Sequence, residues 1–195
     1  MSTKNGNTNG KVTDPIPIIE AEATIPIPTQ EELLQKKKEE RHIEKIQSLV
    51  RHIGFVNDAC QLLGSRLIKI GELEFGRILI ANGLRHDKSK FHGIEWEHLW
   101  PNENEDNLKL AHKQHVETNE HHPEFWGGIT YMPRVYIAEM VADWYSRSNE
   151  FGKDLRAWIK DIAMQKYNMA SGSKVYKNIK QFVDLLLDPP FANLK

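Results

Sequence analysis

The residues best equipped for chemistry lie between His86 and His122. Seven of the nine histidines fall in that stretch: His86, His92, His98, His112, His115, His121 and His122. Imidazole is the commonest protein ligand for metals and titrates nearest neutral pH. Directly after the first of them comes Asp87. A neutral nitrogen beside an anionic oxygen suits borderline divalent ions such as Mn, Fe, Co or Zn. His52 lies upstream and Asp143 downstream, both in segments with helical periodicity. An order of His, His-Asp, His, His-His and Asp on separate helices is hard to obtain as core filler, and it points to a metal site. His92, His98 and His112 read as surface or loop residues outside it.

Positioning these side chains falls to a chain whose apolar residues recur at helical spacing. Thr29 and Glu32 have the form of a capping box, so a helix begins there. From His42 to Leu63 the set Ile46, Leu49, Val50, Ile53, Val56, Ala59 and Leu63 marks one face, with His52 beside it. Gly64 and Gly71 punctuate the segment after that face. A second helix from about Glu72 carries Leu73, Ile78, Leu79 and Leu84, and Asn82-Gly83 weakens it just before His86. Residues 91–104 read as a loop with at most a short helix. From about Asp106 to Asn119 a further helix carries Leu108, Ala111 and Val116. If it persists far enough, His115, Asn119 and His122 share one face. Pro123 argues for a break, and Pro133 suits the entry to a helix reaching about Phe151, on which Glu139 and Asp143 are one turn apart. Helices near 153–167 and 174–187 come next, ended by Pro189-Pro190. No stretch alternates as a strand does. The expected class is all-α, with an extended or disordered Ile/Pro-rich arm over residues 1–28 and one helical metal-binding domain over residues 29–195.

Composition bounds the partners. A formal net charge of −1 gives no strong signal for nucleic acid or an anionic membrane. Trp96, Trp100, Trp126 and Trp144 read as packing or pocket wall rather than as stacking platforms for bases. The single cysteine, Cys60, excludes an internal disulfide and a Cys-rich zinc module. With no apolar signal core and no membrane-length apolar run, a cytoplasmic location is expected. The Ile/Pro arm is a candidate partner-binding segment.

Taken in order, His52, His86-Asp87 and Asp143 resemble the HD superfamily of metal-dependent phosphohydrolases. That pattern is a histidine, a later His-Asp doublet and a final helical aspartate. The run His86-Asp87-Lys88-Ser89-Lys90 is similar to the His-Asp-x-x-Lys form of several branches, which implies a phosphate-facing Lys90. Branches with two metals add histidines, for which His115, His121 and His122 are the candidates. A closer resemblance is to a small uncharacterised family of phage and bacterial genomes. Its motifs are matched here by His52-Ile-Gly-Phe-Val56, His86-Asp-Lys-Ser-Lys-Phe91, His115 to His122, Met132-Pro133 and Glu139-Met-Val-Ala-Asp-Trp144.

The resemblance implies an HD-like helical bundle, one or two divalent ions (Mn, Fe, Co, Zn or Mg), and a small phosphorylated substrate with a nucleotide as the leading class. In such chemistry Lys90 would neutralise phosphate charge and His115 or His122 would protonate the leaving oxygen. Glu139 would orient a ligand or the attacking water. His115 stands only six or seven residues from His121-His122, closer than in two-metal relatives, so one of the three is free to serve the substrate instead. Two alternatives stand beside hydrolysis: an HD-fold di-iron oxygenase, and a non-catalytic helical binding module stapled by metal.

Overall fold

The computed structural model describes Met1, residues 28–99 and residues 104–188; the Ile/Pro arm and Pro189-Pro190 lie outside them. Helices and turns make up the described residues, with no strand among them. The chain is all-α, as its periodicity implies.

Helix α1 spans Gln30–Lys69 and, at 40 residues, is about 60 Å long. It opens on the expected capping box: Glu32 N donates to Thr29 Oγ1 at 3.2 Å, and Thr29 N donates to Glu32 Oε2 at 2.7 Å. Its first half is mostly exposed, Leu33, Leu34 and Ile43 included. The second half buries His52, Val56, Ala59, Cys60, Leu63 and Leu67. Gly71, at φ +95°, ends the helix in a conformation that costs glycine least.

Gly64 does not punctuate α1 but lets α2 (Leu73–Gly83) cross it. A Cβ on Gly64 would sit 2.7 Å from the carbonyl oxygen of Gly76, and one on Gly83 would sit 2.6 Å from Cys60 Cβ. These close approaches choose which face of α2 turns inward. Leu79 and Asn82 are buried between the glycines, whereas Leu73, Ile78 and Leu84, expected as packing residues, are exposed.

A 3₁₀ turn (Lys88–Phe91) and the short α3 (Gly93–His98) lead to α4 (Glu105–Thr118). Ala111 and Val116 of α4 are buried, but Leu108 is not. After a second 3₁₀ turn (Pro123–Trp126), α5 (Arg134–Glu150) runs through the centre of the domain. It packs on α1, α2 and α8 (Lys174–Leu187). Between α5 and α8 the chain makes α6 (Leu155–Trp158), a π-helical turn (Ile159–Ala163) and α7 (Met164–Lys166).

One apolar core joins α1, α2, α5, α6 and α8, with Leu63, Leu67, Leu79, Ile137, Val141, Ile179 and Phe182 all at 1% exposure or less. No residue of α3 or α4 belongs to it. Those two helices pack chiefly on each other and on the neighbouring 3₁₀ turns. Arg66 donates to the carbonyls of Leu185 and Leu186, at 2.6 and 2.9 Å, and so satisfies the C-terminal end of α8. At its other end, Ser173 Oγ accepts from Tyr176 N at 3.1 Å. Ser173→Ala removes that cap and is expected to lower stability by about 1 kcal/mol, read as a shift in denaturation midpoint. An unchanged midpoint would mean that the cap contributes nothing.

Candidate metal centre

Five segments meet at the middle of α5. His52 comes from α1, and His86 and Asp87 come from the turn after α2. His115 is in the last turn of α4, His121 and His122 lie just beyond it, and Glu139 and Asp143 lie on α5. His52, His86, Asp87, His115 and His121 are buried in a protein interior where such groups need partners.

Three histidines share one arrangement. His86 Nδ1 donates to Glu139 Oε1 at 3.0 Å, His115 Nδ1 to Glu95 Oε2 at 2.7 Å, and His52 Nδ1 to Glu150 Oε2 at 3.0 Å. With each Nδ1–H given to a carboxylate, each Nε2 carries a lone pair towards the interior of the site. This is how proteins commonly fix the tautomer and direction of a ligating imidazole.

The Nε2 atoms converge on carboxylates. His52 Nε2 is 3.1 Å from Asp143 Oδ1, and His86 Nε2 is 3.6 Å from Asp87 Oδ2. On the other oxygen, Asp87 Oδ1 lies 3.3 Å from His115 Nε2 and 3.4 Å from His121 Nε2. His122 Nε2 is 2.9 Å from His115 Nε2. Two ligand atoms about 2.1 Å from one ion at the tetrahedral angle sit roughly 3.4 Å apart, which is the spacing found here. Three sets of potential ligands result: His52, His86 and Asp143; His86, Asp87 and His121; and His115, His121 and His122. Asp87 stands between them with one oxygen towards each side. His92, His98 and His112 join none of these sets.

The donor set fits a metal ion on a second ground. His86 Nε2, Asp87 Oδ1, His121 Nε2 and Asp143 Oδ1 are buried without a hydrogen-bond partner. Unsatisfied buried polar atoms cost about 1–3 kcal/mol each, and coordination would satisfy all four at once. Buried His/Asp groups in this chain can therefore hold a metal ion.

The charges reinforce one another. Burial pushes the Asp87 carboxyl up, but His86, Lys90, His121 and His115 outweigh it and hold it well below the usual range. For Asp143 burial again works upwards, and His52 and His86 win. Burial also disfavours a charged His86, yet Asp87 and Glu139 raise its pKa. His122 is pushed down to about 3 by burial and His115, and His121 well down by burial, His86 and His122. Neutral imidazoles are the form that coordinates.

These shifts set the acid response of chelator-stripped protein. Below about pH 6.5 the unfolded chain takes up histidine protons that native His121 and His122 refuse, so stability falls. Asp87 and Asp143 act in the same direction, because their contribution is lost as pH drops towards their depressed native values. His86 alone opposes, giving stability below its ordinary value that is lost as pH rises through its raised one. Melting temperatures of the stripped protein should fall between pH 7 and 4.5. A flat or rising profile would contradict this charge arrangement.

Asp87 is left-handed (φ 56°, ψ 15°), a conformation that L residues seldom adopt and aspartate tolerates better than most. This bend comes after the end of α2 at Gly83 and puts both His86 and Asp87 within reach of the site. Lys90 Nζ donates to Asp87 Oδ2 at 2.5 Å, so the lysine expected to face phosphate is here paired with the doublet aspartate. The expected continuous face of His115, Asn119 and His122 is not formed. Helix α4 ends at Thr118, where Asn119 turns extended. Asn119 Nδ2 donates to the His115 carbonyl at 2.8 Å, and Ser89 Oγ donates to Asn119 Oδ1 at 3.1 Å. The turn beyond α4, rather than a helical face, brings His122 to His115.

Two residues escaped the sequence reading. Glu95 sits in α3, in a stretch read mainly as loop, and nothing local distinguishes it. Glu150 was legible in principle, since Glu139, Asp143 and Glu150 fall at i, i+4 and i+11 on α5 and share a face.

The candidate metal centre lies wholly within residues 41–188, which match DUF5662, a family of unknown function. The chain belongs to that family. No curated protein and no solved structure matches it significantly.

Proposed function

We propose that this chain is a metal-dependent phosphohydrolase of the HD type, acting on a small phosphorylated molecule with a nucleotide as the leading class. One observation carries the reading: Asp87 lies between two clusters of imidazoles whose orientation is set by buried carboxylates. His52, His86, Asp87 and Asp143 would hold one ion. Asp87 and His121, with one of His115 and His122, would hold a second. A bound divalent ion supplies Lewis acidity for a phosphoryl oxygen and lowers the pKa of water towards neutrality.

The remaining steps belong to the protein. A polar opening of about 200 Å³, lined by Asn82, Arg85, Asn119 and Glu120 beside His86 and Asp87, admits a phosphate-sized group. Lys90 is partly open to solvent and can neutralise phosphate charge once Asp87 has another partner. His115 or His122, whichever is not a ligand, can return a proton to the leaving oxygen, worth roughly 10²–10⁴-fold in rate. Glu139, through its contact with His86, is a positioning residue.

The experiment is turnover of a broad nucleotide and phosphoester panel by protein loaded in turn with Mn, Fe, Co, Zn and Mg. Hydrolysis lost in Asp87→Asn is expected, together with a raised KM in Lys90→Met. No turnover with any ion would end the reading. The three-imidazole cluster, richer in nitrogen than hydrolysis demands, supports a second reading as a di-iron oxygenase. Co-purifying iron with an oxygen-sensitive optical spectrum would favour that one.

A further inference from the structure

A second and larger opening reaches the same centre. A cleft of about 420 Å³ runs from His121, His122 and Asp143 out between α5 and the α6–α7 segment. It shares His121 with the small polar opening and otherwise has different walls. Its volume falls within the range of small-molecule sites, roughly 300–1,000 Å³.

Two kinds of side chain line it. Trp144 meets Trp158 edge to face, with centroids 5.0 Å apart, and stacks on Tyr167 at 5.9 Å. Such faces take a flat ring well. Around them stand Arg147, Lys153 and Lys166, and the only carboxylate in the lining is Asp143, already turned to the metal centre. Arg147 is paired with Glu150 at 3.3 Å, which also orients His52. Lys166 lies over the Tyr167 ring at 4.9 Å, and among the described residues neither it nor Lys153 has an ion-pair partner. The π-helical turn Ile159–Ala163 separates Trp158 from Lys166, and such widened turns are frequent at functional sites.

We infer that this cleft is the specificity pocket, and that its ligand is an aromatic phosphate ester carrying a second anionic group. Its ring would lie against Trp158 and its second charge at Lys153 and Lys166. The orientation, with phosphate at the metals, rests on the hydrolase reading; the cleft's preference for ring and charge does not.

Non-hydrolysable probes test it by calorimetry on metal-loaded protein: methylphosphonate, phenylphosphonate and 4-carboxyphenylphosphonate. Phenylphosphonate should bind roughly tenfold tighter than methylphosphonate. The added carboxylate should gain a further factor of about three. Trp158→Leu should erase the first gain. Lys153→Met with Lys166→Met, both at exposed positions, should erase only the second. Equal affinity for the methyl and phenyl probes in the wild type, no binding of any probe, or gains that survive these substitutions would overturn the inference. Ring preference without any hydrolysis would keep the cleft and sink the hydrolase. Hydrolysis without ring preference would do the reverse.

Discussion

Asp87→Ala is expected to abolish stoichiometric metal binding. Wild-type protein dialysed with a divalent metal should retain up to two ions per chain by elemental analysis, and the variant less than one. Asp87 offers Oδ2 towards His86 and Oδ1 towards His115 and His121, so its loss removes a ligand from both sides of the centre. Losing a carboxylate that merely orients a ligand typically costs 10–100-fold in metal affinity. Loss of the shared carboxylate should exceed about 10²-fold on the same scale. Glu95→Gln, which leaves every ligand in place but weakens the hold on His115, supplies the intermediate case. Asp87→Asn separates chemistry from backbone, because asparagine also tolerates the left-handed conformation. A full metal complement in Asp87→Ala would refute the shared-carboxylate geometry.

The second large effect is expected far from any ligand. Gly76→Val should destabilise the domain by about 3 kcal/mol, since overpacking costs roughly 1–3 kcal/mol even where side chains can yield. Here the obstruction is backbone: a Cβ on Gly76 would press on the Gly64 carbonyl and come within 2.6 Å of Ile68 Cγ1. For a chain of this length that corresponds to a drop in Tm of about 10 °C. Metal affinity should fall with it, because the α1–α2 crossing sets the separation of His52 from His86. Gly54→Ala is the control. A Cβ there meets nothing within 4 Å, and alanine in place of a helical glycine should add up to about 1 kcal/mol. A Gly76→Val protein that melts with the wild type would show that the crossing is not tight.

Much of this arrangement is legible in the order of residues alone. Thr29 and Glu32 announce the start of α1, and Pro133 the entry to α5, because capping and proline chemistry act within a few residues. The order of His52, His86-Asp87, His115, His121-His122 and Asp143 marks the ligand candidates, and folding brings all of them together. The features that stay hidden depend on partners distant in sequence. Gly64 looks like an interruption until α2 lies across it. Leu73, Ile78 and Leu84 carry the right hydropathy but fall on the face that the glycine contacts turn outwards. Glu95 is an ordinary acid until α3 folds over α4 and sets it 2.7 Å from His115. Each is a consequence of tertiary packing, which local propensity does not encode.

The absence of α3 and α4 from the apolar core has a thermodynamic consequence of its own. That pair is tied to the rest of the domain largely through the polar centre, with Glu95, His115 and Asn119 on one side and Asp87 and Ser89 on the other. A bound ion would act as a cross-link between two units of unequal stability, closing chain loops that the core does not close. The α3–α4 unit then has an opening free energy governed by metal occupancy, while the α1–α2–α5–α8 unit keeps the stability of its own burial. Metal concentration, more than temperature, would decide how often the site is exposed to solvent.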